Sequence, residues 1–148
     1  MTLKTFDIDL IHIFRRISLP LARFGLFVVF FWFGLLKVIG QSPASPLVEH
    51  LFNNTFPAVM SFGTFIILFG LFECLIGILF IIPGCERGVI PLLLIHMITT
   101  VMPLFFLSQT TWSGFLIPTL EGQYIIKNLL IIAAAVGIAA HLHPLKIK

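Results

Sequence analysis

The chain has 148 residues, of which 59% are hydrophobic, 10% are charged and 17 are phenylalanine, with a mean hydropathy of +1.12. A soluble domain is roughly 45–50% apolar and about 25% charged, and a compact fold of this size cannot bury such an excess of apolar surface. The net charge of +3 does not indicate nucleic-acid binding, because the basic residues flank apolar runs. The composition predicts an integral membrane protein with about four spans of roughly 20 residues.

The first segment, residues 1–20, precedes the apolar runs and carries hydrophobic residues near helical spacing, among them Phe6, Leu10, Ile13 and Ile17. Basic residues lie between them. This pattern predicts an amphipathic helix on the cytoplasmic membrane surface. Residues 21–148 then form a single membrane domain.

Four apolar runs predict transmembrane helices at about 21–39, 57–82, 89–107 and 124–140. Pro20 suits the first turn of a helix, because its missing N–H would be unpaired there. Pro103 predicts a kink near the end of the third span. Open sheet edges are not tolerated in lipid, so the expected fold is all-α, an integral membrane four-helix bundle.

Positively charged residues lie at one end of the predicted bundle. The two loops at the opposite end, residues 40–56 and 108–123, contain no Lys or Arg. The positive-inside rule therefore predicts a multi-pass protein with both termini in the cytoplasm. The residues on which this orientation depends are Lys4, Arg15, Arg16, Arg23, Arg87, Lys146 and Lys148.

Ionisable residues within the spans are the strongest functional signal. A charge near the bilayer centre costs at least about 2.5–3.5 kcal/mol and normally faces the bundle interior. Lys37, Glu73, His96 and Lys127 lie within or close to the spans, and Glu121 lies just outside the fourth. At about 1.5 Å per residue, Glu73 and His96 lie about 14 Å and 10 Å from the same boundary. We therefore expect these two side chains at similar depth.

Helical spacing extends this group into one predicted polar pocket. Gly63, Gly70 and Gly77 repeat every seven residues and mark a close helix contact on the side that carries Glu73. The polar residues of the other spans also stack at helical intervals. The predicted ligand-binding site opens outward and comprises Lys37, Glu73, His96, Thr99, Thr100, Glu121, Gln123, Tyr124, Lys127 and Asn128.

Each ionisable group also has a structural interpretation. Lys37 can snorkel to the membrane boundary, and Lys127 can form an ion pair with a nearby glutamate. His96 can tie helices together through a hydrogen bond. Glu73 is the hardest to explain in this way, because mid-membrane carboxylates are rare. The sequence has no paired-cysteine metal spacing, no His-Glu-x-x-His and no phosphate loop, so neither a metal site nor a catalytic residue is predicted.

Three stretches carry a family resemblance: FWFGLLK at residues 31–37, GLFECLIG at 70–77 and LEGQYIIKN at 120–128. They resemble the DoxX-like superfamily of small bacterial membrane proteins, and within it the YkgB/RclC group. The resemblance covers roughly residues 17–140. It implies a four-helix bundle in the bacterial inner membrane and a context of redox or oxidative-stress chemistry. One branch of the superfamily serves as a subunit of a thiosulfate:quinone oxidoreductase.

The pocket and the resemblance together predict an accessory protein rather than an enzyme acting alone. It would bind a quinone headgroup or a small anion. The same interpretation allows a subunit of a quinone-linked oxidoreductase with a soluble redox partner on the cytoplasmic side. No other cofactor is evident. One alternative is permeation of a small solute or a proton by a homo-oligomer. Another is a structural anchor that docks a soluble partner through residues 1–20 and the C-terminal tail.

Overall fold

The computed structural model describes residues 3–55 and 59–144, which are almost entirely helical. A single two-stranded antiparallel hairpin interrupts the helices. The elements in chain order are α1 (Leu3–Val38), α2 (Ser45–Thr55), α3 (Phe62–Ile81), α4 (Glu86–Val101), α5 (Pro103–Phe106), α6 (Ser108–Thr111), β1 (Trp112–Gly114), β2 (Ile117–Pro118), α7 (Leu120–Lys127) and α8 (Leu129–Ala139).

Within the described residues, four helical stretches are long and apolar enough to cross a membrane, and they confirm the number of predicted spans. They are Phe6–Val38, Phe62–Ile81, Glu86–Phe106 and Leu120–Ala139. Several predicted residues lie outside the described ranges: Met1 and Thr2 of the segment 1–20, residues 57 and 58 of the second span, and Lys146 and Lys148 of the tail.

The four spans enclose one apolar core. Its most deeply buried side chains, Phe80, Ile76 and Leu93, are supplied by α3 and α4. Leu26 and Phe30 join them from α1, and Ala135 and Ile138 from α8. Each helix packs against two others in the order α1, α3, α4, α8 and back to α1, which makes a closed bundle.

The most extensive contact in the bundle is between α1 and α3. It depends on two glycines that face each other. A Cβ atom on Gly34 would lie 2.6 Å from the carbonyl oxygen of Gly70, and one on Gly70 would lie 2.7 Å from that of Gly34. Small residues let membrane helices approach at backbone distance. This contact fixes the register of α1 against α3.

The prediction that a helix begins at Pro20 is wrong. α1 is one helix of 36 residues with Pro20 in its interior. At 1.5 Å per residue it is about 54 Å long, which exceeds the roughly 30 Å of a hydrocarbon core. Proline is tolerated inside membrane helices where the freed carbonyl finds another partner. Here that carbonyl belongs to Arg16, an exposed residue.

Three other span boundaries also differ from the predicted ones. α3 begins at Phe62 rather than 57, because Ser61 caps it by accepting from the Thr64 N–H. α4 begins at Glu86 rather than 89, and an acidic side chain is favourable in a first turn. The fourth span begins at Leu120 rather than 124, capped by Thr119. In the third span, helix α4 ends before Pro103, where a kink is predicted.

The connections opposite the Arg-rich end carry structure that the hydropathy pattern did not predict. α2 places the buried Phe52 against Phe62 and Phe65, with ring centroids 5.9 and 4.8 Å apart. Between the third and fourth spans, β1 and β2 form a short hairpin with an irregular register. Leu116, at its tip, has a left-handed backbone with φ 57°.

Candidate functional site

Glu73 lies on the core face of α3. The buried residues of this helix include Ile66, Gly70, Ile76 and Phe80, and the carboxylate lies among them with 6% of the residue exposed. An unpaired charge in such a place would be very costly. The surroundings of Glu73 must therefore supply both charge compensation and hydrogen-bond donors.

Two other helices supply those donors. Lys37 of α1 donates from Nζ to Oε2 of Glu73 at 2.6 Å. Nε2 of His96, on α4, lies 3.0 Å from Oε1 of the same carboxylate. Lys37 and His96 are 6% and 4% exposed. We call these three residues the polar triad. Both carboxylate oxygens of Glu73 are engaged, and the charges of Lys37 and Glu73 compensate each other.

A threonine completes the hydrogen bonding of the imidazole. Oγ1 of Thr100 lies 3.3 Å from Nδ1 of His96 and 3.0 Å from the His96 carbonyl oxygen. Thr99 donates to the same carbonyl at 2.7 Å. With Nε2–H donating to Glu73, Nδ1 is an acceptor that the Thr100 hydroxyl can satisfy. The result is a hydrogen-bonded chain from Lys37 to Thr100 across three helices.

Aromatic rings surround the imidazole. Phe69 stacks on His96 with centroids 5.1 Å apart and an interplanar angle of 12°. Phe30 meets it edge to face at 5.2 Å, and Phe72 lies at 6.1 Å. The Phe69 ring also lies 5.6 Å from the Lys37 ammonium. A low-dielectric surrounding of this kind strengthens the hydrogen bonds of the triad. Phe69 is itself only half-buried and covers the triad on one side.

The polar residues of the fourth span do not join the triad, and their predicted inward orientation is wrong. Glu121, Gln123, Tyr124 and Lys127 are exposed, and Asn128 is half-buried at the junction of α7 and α8. The Lys127 ammonium lies 5.2 Å from the Tyr124 ring.

Gly122 is the reason for this rotation of α7. The inward face of the helix is formed by Gly122 and Ile125, and Gly122 packs directly on the carbonyl group of Thr111. Residues 121, 123, 124 and 127 therefore turn away from the core. The polar cluster consists of residues from the first three spans.

The structure also contains a second ion pair, with a buried carboxylate, that was not predicted from the sequence. Arg23 of α1 pairs with Glu86 at the start of α4, and Glu86 is 4% exposed. Both residues lie near the predicted cytoplasmic ends of their spans, a position that could have indicated the contact. The aromatic neighbours of His96 were missed as well. Phe69 lies four residues before Glu73, so the helical spacing used for polar residues would have placed it beside the triad.

Two shallow depressions lie on the surface of the described residues, and neither is lined by a residue of the triad. One is lined by Val28, Val29, Trp32 and Phe33, and the other by Leu19, Pro20, Arg23 and Ile81. Within residues 3–55 and 59–144, no group of three or more His, Cys, Asp or Glu side chains is placed to hold a metal ion. Chemically, the triad can hold or exchange a proton, or offer two donors to an acceptor.

Comparison of the chain with protein-family models, with curated proteins and with solved structures finds no match.

Proposed function

We propose that this chain is a DoxX-like protein of the bacterial inner membrane that binds a quinone headgroup at the polar triad, in support of redox or oxidative-stress chemistry. The observation that carries the proposal is the convergence of two donors on one buried carboxylate. Lys37 Nζ and His96 Nε2 approach different oxygens of Glu73, at 2.6 and 3.0 Å. The two donors come from different helices, so a ligand acceptor that takes the place of a carboxylate oxygen would find a donor already positioned.

A quinone headgroup matches this chemistry. It is a flat, largely apolar ring with two carbonyl acceptors and no donor. Pockets for such ligands combine apolar and aromatic walls with a few well-placed polar groups. Phe30 and Phe69 provide rings beside His96, and Lys37 and His96 provide the donors. In the absence of ligand, Glu73 takes the acceptor role. When a quinone is bound, its carbonyl replaces one carboxylate oxygen, after the half-buried Phe69 ring moves aside.

We place both termini in the cytoplasm, because the arginines lie at one end of the predicted spans and the positive-inside rule assigns that end to the cytoplasm. These arginines are Arg15, Arg16, Arg23 and Arg87. Residues 1–20 then extend along or beyond the cytoplasmic surface, where they can contact a soluble oxidoreductase. That partner supplies the electrons. The role of the membrane chain is to bind and orient the quinone within the bilayer.

The test is direct binding of a tritiated short-chain ubiquinone to the purified chain in lipid nanodiscs. We expect saturable binding that excess unlabelled quinone displaces. His96→Phe keeps a ring but removes the donor, so it leaves a buried ligand carbonyl unpaired, which costs about 1–3 kcal/mol. The affinity should therefore fall by about 5- to 150-fold. His96→Gln restores an amide donor and should recover part of the affinity.

Lys127→Met is the matched control, because Lys127 is exposed and lies apart from the triad. Its affinity should equal that of the wild type. Saturable binding that is lost in Lys127→Met but kept in His96→Phe would move the site to the fourth span and contradict the proposal. The absence of any saturable binding to the wild type would also contradict it.

A small anion is the second candidate ligand, and the Lys37 ammonium is the observation that favours it. An anion can pair with Lys37 as the Glu73 carboxylate does at 2.6 Å. Adding sodium formate to the quinone-binding assay separates the two ligands. Competition that depends on formate concentration in the wild type, and that Lys127→Met leaves unchanged, would favour the anion. Quinone binding that formate leaves unchanged would favour the quinone.

A further inference from the structure

A second feature lies at the other end of the bundle, apart from the triad. A shallow groove runs between α1 and the end of α3, lined by Leu19, Pro20, Arg23 and Ile81. Its walls are apolar except for the guanidinium group of Arg23. The neighbouring side chains of Leu21 and Ile81 are 60% and 43% exposed. In a membrane-spanning bundle this groove faces lipid.

Arg23 has hydrogen-bonding capacity left over in this groove. It pairs with Glu86 through Nη2. Its Nε atom, however, is buried and has no hydrogen-bond partner among the residues that the structure describes, and it is the one buried side-chain nitrogen or oxygen there in this condition. The Arg23 side chain as a whole is 18% exposed, so its remaining terminal N–H groups can donate to an acceptor from outside the chain.

Further positive charge lies on the same face of α1. Arg16, Pro20 and Arg23 follow i, i+4, i+7 spacing, which places them in one row along the helix. Arg16 is exposed, and Arg15 adds a second cation one residue away. Glu86 compensates only one of these charges. The groove therefore combines an excess of positive charge with an apolar floor, which is the combination that a phospholipid with an anionic headgroup needs.

We infer that this groove binds an anionic phospholipid, with the lipid phosphate between Arg16 and Arg23, beside Leu19 and Pro20, and one acyl chain along Ile81. The headgroup oxygens accept from the Arg23 guanidinium, and the exposed Arg16 side chain supplies a second cation. The lipid holds α1 against α3 at the end of the bundle opposite the Gly34–Gly70 contact. The inference does not depend on the proposed quinone site.

The experiment is native mass spectrometry of the delipidated full-length chain, titrated with an equimolar mixture of phosphatidylglycerol and phosphatidylcholine that carry the same acyl chains. Each basic residue near a membrane surface contributes about 1 kcal/mol toward anionic lipid, so we expect roughly five-fold preference per engaged arginine. Arg16→Gln should lower the phosphatidylglycerol preference by about that factor. Arg23→Lys keeps the charge but removes the planar guanidinium fork that can donate two hydrogen bonds to one phosphate, and should also lower this preference.

Arg87→Gln is the matched control, because Arg87 lies at the same end but donates to the carbonyl of His143. This variant should keep the wild-type preference. Equal binding of the two lipids by the wild type would overturn the inference, as would an unchanged preference in Arg16→Gln, whose exposed side chain makes misfolding a minor concern. An excess of inorganic phosphate should not displace the lipid. Complete displacement would show a phosphate site without an acyl groove, and would overturn the assignment to a lipid.

Discussion

Replacing Glu73 with alanine should destabilise the protein by about 3–5 kcal/mol, which is the usual cost of leaving one member of a buried ion pair without its partner. In Glu73→Ala the ammonium of Lys37, 6% exposed in the wild type, has no counter-charge, and His96 loses its acceptor. The free energy of unfolding in detergent micelles, measured by denaturant titration, gives the effect.

A double variant separates the missing charge from the missing contacts. In Lys37→Met with Glu73→Leu, both charges are replaced by apolar side chains of similar size, so no uncompensated charge remains. We expect this pair to recover most of the stability lost in Glu73→Ala, because apolar replacements of buried ion pairs are often neutral or stabilising. Lys127→Met should change stability by no more than about 0.5 kcal/mol. An equally small effect of Glu73→Ala would show that Lys37 reaches water without Glu73.

Substituting Gly34 should have the second large effect, through sterics rather than charge. A Cβ atom at this position would lie 2.6 Å from the Gly70 carbonyl oxygen and 2.8 Å from the Cys74 nitrogen, both in the backbone of α3. Neither atom can move without displacing the helix. Overpacking of this kind costs about 1–3 kcal/mol for alanine, and we expect valine to cost more. The same unfolding titration provides the measurement.

Gly25→Ala is the control in the same helix, since nothing lies within 4 Å of a Cβ atom there. Alanine is the better helix former, so this variant should be neutral or slightly more stable than the wild type. If Gly34→Ala were as stable as Gly25→Ala, α1 and α3 would not approach at backbone distance. The register that brings Lys37 to Glu73 would then lose its support.

The inward position of Glu73 could be predicted from the sequence, because its helical spacing relative to two glycines indicates the face on which it lies. Gly70 and Gly77 lie on the same side of α3 as Glu73, and small residues mark close helix contacts. The contact between Glu73 and His96 is consistent with the depth arithmetic, since both lie on consecutive spans joined by a short turn. These features need only the helical repeat and the membrane thickness.

The rotation of the fourth span about its axis could not be predicted from helical spacing. It is set by Gly122 against the carbonyl group of Thr111, and the position of Thr111 depends on α5, α6 and the hairpin between the third and fourth spans. That contact is a property of the folded connection, not of the helical repeat. Polar spacing alone gives a face for Tyr124 and Lys127 but does not indicate whether that face points inward.

The continuity of α1 through Pro20 could not be predicted from local sequence signals either. Proline at a helix start is a strong signal in soluble proteins, and Pro20 precedes a long apolar run. In the structure, Pro20 is nevertheless interior, and the carbonyl that it frees, that of Arg16, belongs to an exposed residue. The N-cap residues Ser61 and Thr119, by contrast, were readable from local chemistry and would have corrected two span boundaries.

A solid-state NMR distance measurement in lipid bilayers tests most directly whether Lys37 and Glu73 meet within the bundle. The chain would carry ¹⁵N-lysine and ¹³C-glutamate labels, with Lys37 assigned through Lys37→Met. We expect strong dipolar transfer between Lys37 Nζ and the Glu73 carboxylate, because the two groups are in contact at 2.6 Å. An absence of this transfer, with the Lys37 ammonium instead correlated to interfacial water, would contradict this expectation.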